Sequence, residues 1–173
     1  MSIISHSACS LPIVTLVPNA PLLSTPVSVR RSTDVYITSY IQLECNESLL
    51  TNIRWTVRHC TPLCSSVPLA LPSSIVTTLS ELYVPARTLD YGTYELRMQV
   101  TMSAASQFTT TASVFVTIIP STIIPNLMPA GTSMITLGRG QDLLLDPGTY
   151  SQDPDSTTFN ASVSVHRCSG HSI

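Results

Sequence analysis

Five cysteines, four histidines and ten carboxylates are the residues of this 173-residue chain with the richest chemistry. The cysteines are Cys9, Cys45, Cys60, Cys64 and Cys168. In an oxidising compartment an odd number leaves one thiol without an internal partner. Cys60 and Cys64, in the run CTPLC and turned by Pro62, form the candidate local disulfide; free buried thiols in a reducing compartment are the alternative. Two clusters, His59-Cys60 with Cys64 and His166 with Cys168 and His171, carry imidazole and thiol groups of the kind that bind zinc. Neither matches a paired-knuckle spacing, and a structural zinc needs four such donors in a tetrahedron. Asp146, Asp153 and Asp155 offer the carboxylate oxygens that calcium prefers. An Asp-Pro-Asp run between strands is more simply a turn, its side chains bonding local amides. The expectation is therefore no metal and no cofactor.

Catalytic signatures are missing as well. The chain contains no Gly-x-Ser-x-Gly elbow, no phosphate-binding loop and no HExxH pair, and its carboxylates are dispersed. His6, His59, His166 and His171 fall at strand ends or in tails, with His59 read as a solvated strand-end residue. The chain is expected not to be an enzyme. Modification is better supported: Asn46-Glu47-Ser48 and Asn160-Ala161-Ser162 are both glycosylation sequons without a central proline. Asn46 falls in an expected loop, whereas Asn160 opens an expected strand.

The elements that must position these residues can be read from composition and periodicity. The chain is 43% hydrophobic, enough for a core, but only 10% charged, against about 25% in an average soluble domain. All eight basic residues are arginine, and serine and threonine together number 47. Hydroxyls dress the surface, as in secreted sheet proteins. A net charge of −2 gives no electrostatic case for nucleic acid. Thirteen prolines leave few windows for a long helix. The apolar run Ala112–Pro120 is far short of the roughly 20 residues of a membrane span. The start, MSIISHSACSLPIVTLV, lacks a basic leader region and gives no convincing signal peptide.

Alternation of apolar and polar residues marks strands over 13–17, 36–45, 52–59, 74–83, 92–102 and 108–119, with a possible short one near 66–70. Such a count over roughly 105 residues is immunoglobulin-like. Trp55 takes the inward mid-strand place of a core tryptophan. Asp90-x-Gly92-x-Tyr94 has the spacing of a tyrosine corner, in which the phenol hydrogen-bonds back to the chain. Leu96 stands where antibody domains have their second inter-sheet cysteine, which favours the fibronectin-III and PKD-like branch. On this layout Cys45 ends one strand at one pole of the sandwich and Cys60 ends the next at the other, about seven residues of strand or more than ~20 Å apart. A bridge between them is disfavoured, because it requires Cα atoms within about 7 Å.

A partial repeat suggests more than one unit. NIRWTVRHC at 52–60 returns as NASVSVHRC at 160–168, and DVYITSYIQLEC at 34–45 has a counterpart in GRGQDLLLD at 138–146. The expected organisation is a flexible segment 1–11, a complete Ig-like antiparallel sandwich at 12–119 and an incomplete second unit at 120–173. The second unit would be frayed, because half a sandwich exposes its apolar face and edges.

LYVPAR and TLDYGTYELRMQVTM, residues 82–102, resemble the receptor-for-egg-jelly (REJ) module of polycystin-1-family proteins. LLLDPGTYSQDPDS, residues 143–156, resembles the PKD/REJ-like domain that follows it, although Val163 replaces the usual tryptophan. The resemblance covers about 35–168 and implies a non-catalytic structural or adhesive module on the extracellular face of a large membrane receptor. Its implied partners are protein or glycan ligands and the neighbouring modules of a parent chain. A soluble binding or decoy fragment is the alternative.

Overall fold

The structure is a computed structural model that describes residues 10–44, 50–103, 106–126, 136, 143–145, 147–156 and 166–168. Two compact units divide the chain, Met1–Ile119 and Pro120–Ile173. The first is built from β1 (Ile13–Val17), β2 (Val27–Arg30), β3 (Val35–Gln42), β4 (Thr51–Cys60), β5 (Glu81–Val84), β6 (Gly92–Met102) and β7 (Thr109–Ile119). They form two sheets, ordered β1-β3-β5 and β2-β7-β6-β4.

The period-2 pattern explains why both sheets bury one face. Along β6, Tyr94, Leu96, Met98 and Val100 are buried, while Glu95, Arg97 and Gln99 alternate with them on the other face. Trp55 and Val57 of β4 join them, with Val114, Val116 and Ile118 of β7. From the smaller sheet come Leu16, Val35, Ile37, Leu82 and Val84, so the two sheets share one hydrophobic core. Ala20, Ile75 and Leu89 plug it from the connections.

The unit is all-β, but it is not purely antiparallel. β2, which has no counterpart among the strands expected from the sequence, runs parallel to β7 from Val27↔Val116 to Arg30↔Ile119. It is four residues long and lies among Pro26, Ser32 and Thr33, so local periodicity cannot reveal it. Its ladder partner lies almost 90 positions away. β1 pairs with β3 in the other sheet, and the connection between β1 and β2 contains Pro18 and Pro21, which remove the donors a continuous strand would need.

Two further expectations are corrected. The strand expected over 74–83 contracts to Glu81–Val84, and no strand forms near 66–70. Residues 61–80 form an irregular strap containing Pro62, Pro68 and Pro72. It turns at Ile75, whose N–H donates to the Pro72 C=O at 3.0 Å. The prolines cannot donate to a ladder, and Ile75 is drawn into the core instead.

In the second unit, β8 (Leu143–Leu145) pairs antiparallel with β9 (His166–Cys168), and a single helical turn, α1, spans Pro147–Tyr150. Ile124 and Gln152 form an isolated bridge.

Candidate functional site

Polar and charged groups gather around Tyr94 at the start of β6. Gly92 opens β6 with a φ of +139°, a conformation that side chains rarely adopt. Two residues on, the buried Tyr94 hydroxyl donates to the Asp90 C=O at 3.1 Å. Burial, with the Asp90 carboxylate nearby, raises the Tyr94 pKa above the ordinary phenol value. Arg31, just beyond β2, clamps the same turn. Its guanidinium meets the Asp90 carboxylate at 3.1 Å, its Nε donates to the Leu89 C=O at 3.4 Å, and its charge lies 5.2 Å from the Tyr91 ring centre. The ion pair is worth little, since the Asp90 side chain is 88% exposed.

His59, the register partner of Tyr94 on β4, completes the corner. The two rings meet edge to face at 5.1 Å. The His59 ring occupies the space beside Gly92, so a Cβ at Gly92 would sit 2.6 Å from Nε2. From the sequence, His59 is expected at a solvated strand end. It is exposed there, and it also packs on Tyr94 and Gly92. Arg31 and His59 have no local signal that links them to Asp90-x-Gly92-x-Tyr94; strand pairing alone brings them there.

The next residue after His59 begins a covalent link. Cys60 and Cys64 form a disulfide with a Cα–Cα separation of 3.7 Å, closing the first turn of the strap. Both sulfurs are consumed, so His59, Cys60 and Cys64 do not form a thiolate zinc site. Beyond the disulfide the strap follows the outer edge of β4 on three main-chain bonds. Ser65 N–H donates to the His59 C=O at 2.8 Å, Leu69 N–H to the Val57 C=O at 2.7 Å, and Trp55 N–H to the Thr77 C=O at 2.8 Å. Trp55 is 2% exposed, and its indole N–H donates to the Leu79 C=O at 2.8 Å, so it fastens the strap as well as filling the core.

The two outer sheet faces differ in chemistry. On β3 and β5, Tyr36 and Tyr83 stand opposite one another and Tyr40 is 70% exposed. Tyr36 donates to the Glu81 carboxylate, and Tyr83 donates to Asp34 Oδ2 at 3.0 Å. These hydrogen bonds to carboxylates raise both phenol pKa values. The other face carries Arg54, Arg58 and Arg97 with Glu95 among hydroxyls. There, Ser113 donates to Glu95 at 2.7 Å, and Arg58 lies 3.8 Å from the same carboxylate. Arg58 Nε is buried without a hydrogen-bond partner among the described residues.

Asp153 and Asp155 are occupied locally. Asp153 Oδ1 accepts the Asp155 N–H at 2.9 Å, and Asp155 Oδ2 accepts the Ser121 N–H at 2.6 Å. Among the described residues no three His, Cys, Asp or Glu side chains are grouped as metal ligands, and no helix is long and apolar enough to cross a membrane. Cys9, Cys45, Asn46, Asp146, Asn160, Val163 and His171 lie outside the described residues. His166 and Cys168 are described only as part of β9.

Fold and site together define an all-β module with structured sheet faces and a stapled strand edge. The REJ domain family matches residues 39–163, from within β3 to beyond the end of β7. This chain belongs to the REJ domain family. No significant match was found among curated proteins or among solved structures.

Proposed function

We propose that this chain is a non-catalytic structural and adhesive module from the extracellular region of a polycystin-1-like membrane receptor. The REJ match over 39–163 carries the reading. The strand order supports an Ig-like or PKD-like kinship within it. β1-β3-β5 and β2-β7-β6-β4 correspond to strands A-B-E and A′-G-F-C of that plan, with a split first strand touching both sheets. The Tyr94 hydroxyl reaching back to Asp90 corresponds to the tyrosine corner. Trp55 holds the place of the core tryptophan.

The Cys60–Cys64 disulfide and the hydroxyl-rich, lysine-free composition support an oxidising, extracellular setting. In that setting Asn46 and Asn160 are the proposed glycan acceptors. The proposed organisation is a first unit at 12–119 and a second, PKD/REJ-like unit at 120–173; the family match crosses the boundary between them, which supports assigning both to one REJ region. Such a module works by spacing and presenting surfaces to protein or glycan ligands and to neighbouring modules.

The test is topological. An epitope tag placed in the chain within its parent protein should be stained on intact cells. Glycosidase treatment should lower the mass of the wild-type chain, by less after Asn46→Gln. Staining only after permeabilisation, with no glycan mass, would overturn the reading.

A further inference from the structure

Between its attachments at Leu69 and Thr77 the strap arches away from β4 and leaves a cavity of about 330 Å³. Its lining includes Trp55, Val57, Leu69, Leu71, Pro72 and Ile75, with Arg54 and Thr56 beside them. The volume lies at the small end of the roughly 300–1,000 Å³ typical of ligand pockets. Leu63, Val67 and Leu69 are exposed on the strap, 80%, 71% and 42% respectively, and continue the apolar surface outside the cavity.

The strand edge says what chemistry fits there. The N–H and C=O of one residue in a β-strand point to the same edge. Trp55 N–H and Val57 C=O both bond the strap, so Trp55 C=O and Val57 N–H face it too. Neither of these two has a hydrogen-bond partner among the described residues. They flank Thr56. An antiparallel addition could reach these two groups only through a wide hydrogen-bond ring, which spans three residues of the incoming chain, and the close pairs on either side are blocked because Trp55 N–H and Val57 C=O are taken. A parallel addition needs the C=O of one residue and the N–H two residues on. That pair is open.

We propose that this gap binds one residue of an extended apolar peptide, laid parallel to β4. The bound residue donates its N–H to the Trp55 C=O and accepts the Val57 N–H at its own C=O. Its side chain, in register with Thr56, leaves on the face opposite Trp55 and Val57, beside the exposed Leu69 and Pro72 of the strap. The strap bonds on either side limit the added ladder to about one residue, in keeping with the cavity's size. This mode is strand addition at a sheet edge, with main-chain bonds giving affinity and a pocket giving side-chain preference. It stands on the edge geometry and does not depend on the receptor reading.

The probe is N-acetyl-L-leucinamide, which carries an N–H, a C=O and an apolar side chain on one Cα. It is titrated into the isotope-labelled full chain and followed by amide chemical shifts. The Val57 amide should show the largest shift. The analogue methylated at the leucine nitrogen, which cannot donate to Trp55, should bind about tenfold more weakly, because a buried acceptor is then left unpaired. Leu69→Ser, at a half-exposed position, should weaken binding while leaving the unliganded spectrum otherwise unchanged. Equal binding of the methylated analogue, or an unmoved Val57 amide at saturating probe, would overturn the proposal.

Discussion

Replacing Gly92 with alanine separates two causes that act at one position. The first is conformational: an L-residue held at φ +139° carries strain of about 1–3 kcal/mol. The second is contact, since the new Cβ would lie 2.6 Å from His59 Nε2 and 3.3 Å from Cδ2. His59 is a strand-end side chain exposed to solvent, so its ring can swing away. Doing so forfeits the edge-to-face contact with Tyr94, worth about 0.5–1.5 kcal/mol. Gly92→Ala should therefore cost about 2–4 kcal/mol. In a His59→Ala background the contact is already lost, so the same substitution should cost about 1 kcal/mol less, and the difference is the coupling energy. Urea melts of the four proteins measure all the terms, and a 3 kcal/mol loss corresponds to a fall in Tm of roughly 10 °C. A cost below about 0.5 kcal/mol for Gly92→Ala would refute the strain argument, and so would its disappearance once His59 is removed.

Tyr94→Phe deletes only the hydroxyl that reaches Asp90 and should cost about 1 kcal/mol, read from the urea midpoint, with the His59 ring contact kept. Cys60→Ser with Cys64→Ser opens a five-residue ring and should cost about 2 kcal/mol by chain entropy. Faster amide exchange at Ser65 and Leu69 should accompany it, with β6 unaffected. Tyr36, Tyr83 and Tyr94 all have pKa values raised in the fold. Above about pH 10, the ordinary phenol value, the unfolded chain therefore releases protons that the folded chain retains. Stability should be flat with respect to these groups below that pH and fall above it. Tyr94→Phe should reduce the slope, and urea melts from pH 8 to 11 showing no alkaline loss would contradict the assignment.

Much of the fold was legible because its information is local. The alternation in GTYELRMQVTM and TTTASVFVTII marks the two central strands to within a residue, since a strand that buries one face must repeat with period two. β1 takes the bounds that its alternation predicts, Ile13–Val17. β2 was not legible, because VSVR is short and acquires strand identity only from β7. The stretch 74–80 misled for the opposite reason. Its apolar residues, Ile75 and Val76, look like a strand, but Pro72 and the turn at Ser73–Ser74 spend them on a strap.

The chemistry divides along the same line. The sequence alone offered the Cys60–Cys64 pair, turned by Pro62, and the Asp90-Gly92-Tyr94 spacing, because a turn or a glycine between residues four apart lets them meet without help from distant segments. Low charge and abundant hydroxyls likewise set a sheet-built surface before any fold is known. Only the tertiary structure decided that Arg31 clamps the Asp90 turn and that His59 fills the space beside Gly92. It alone decided, too, that the strap leaves Trp55 C=O and Val57 N–H facing a cavity. Each of these depends on strand register and chain crossing between distant segments, which long-range burial sets and no local pattern encodes.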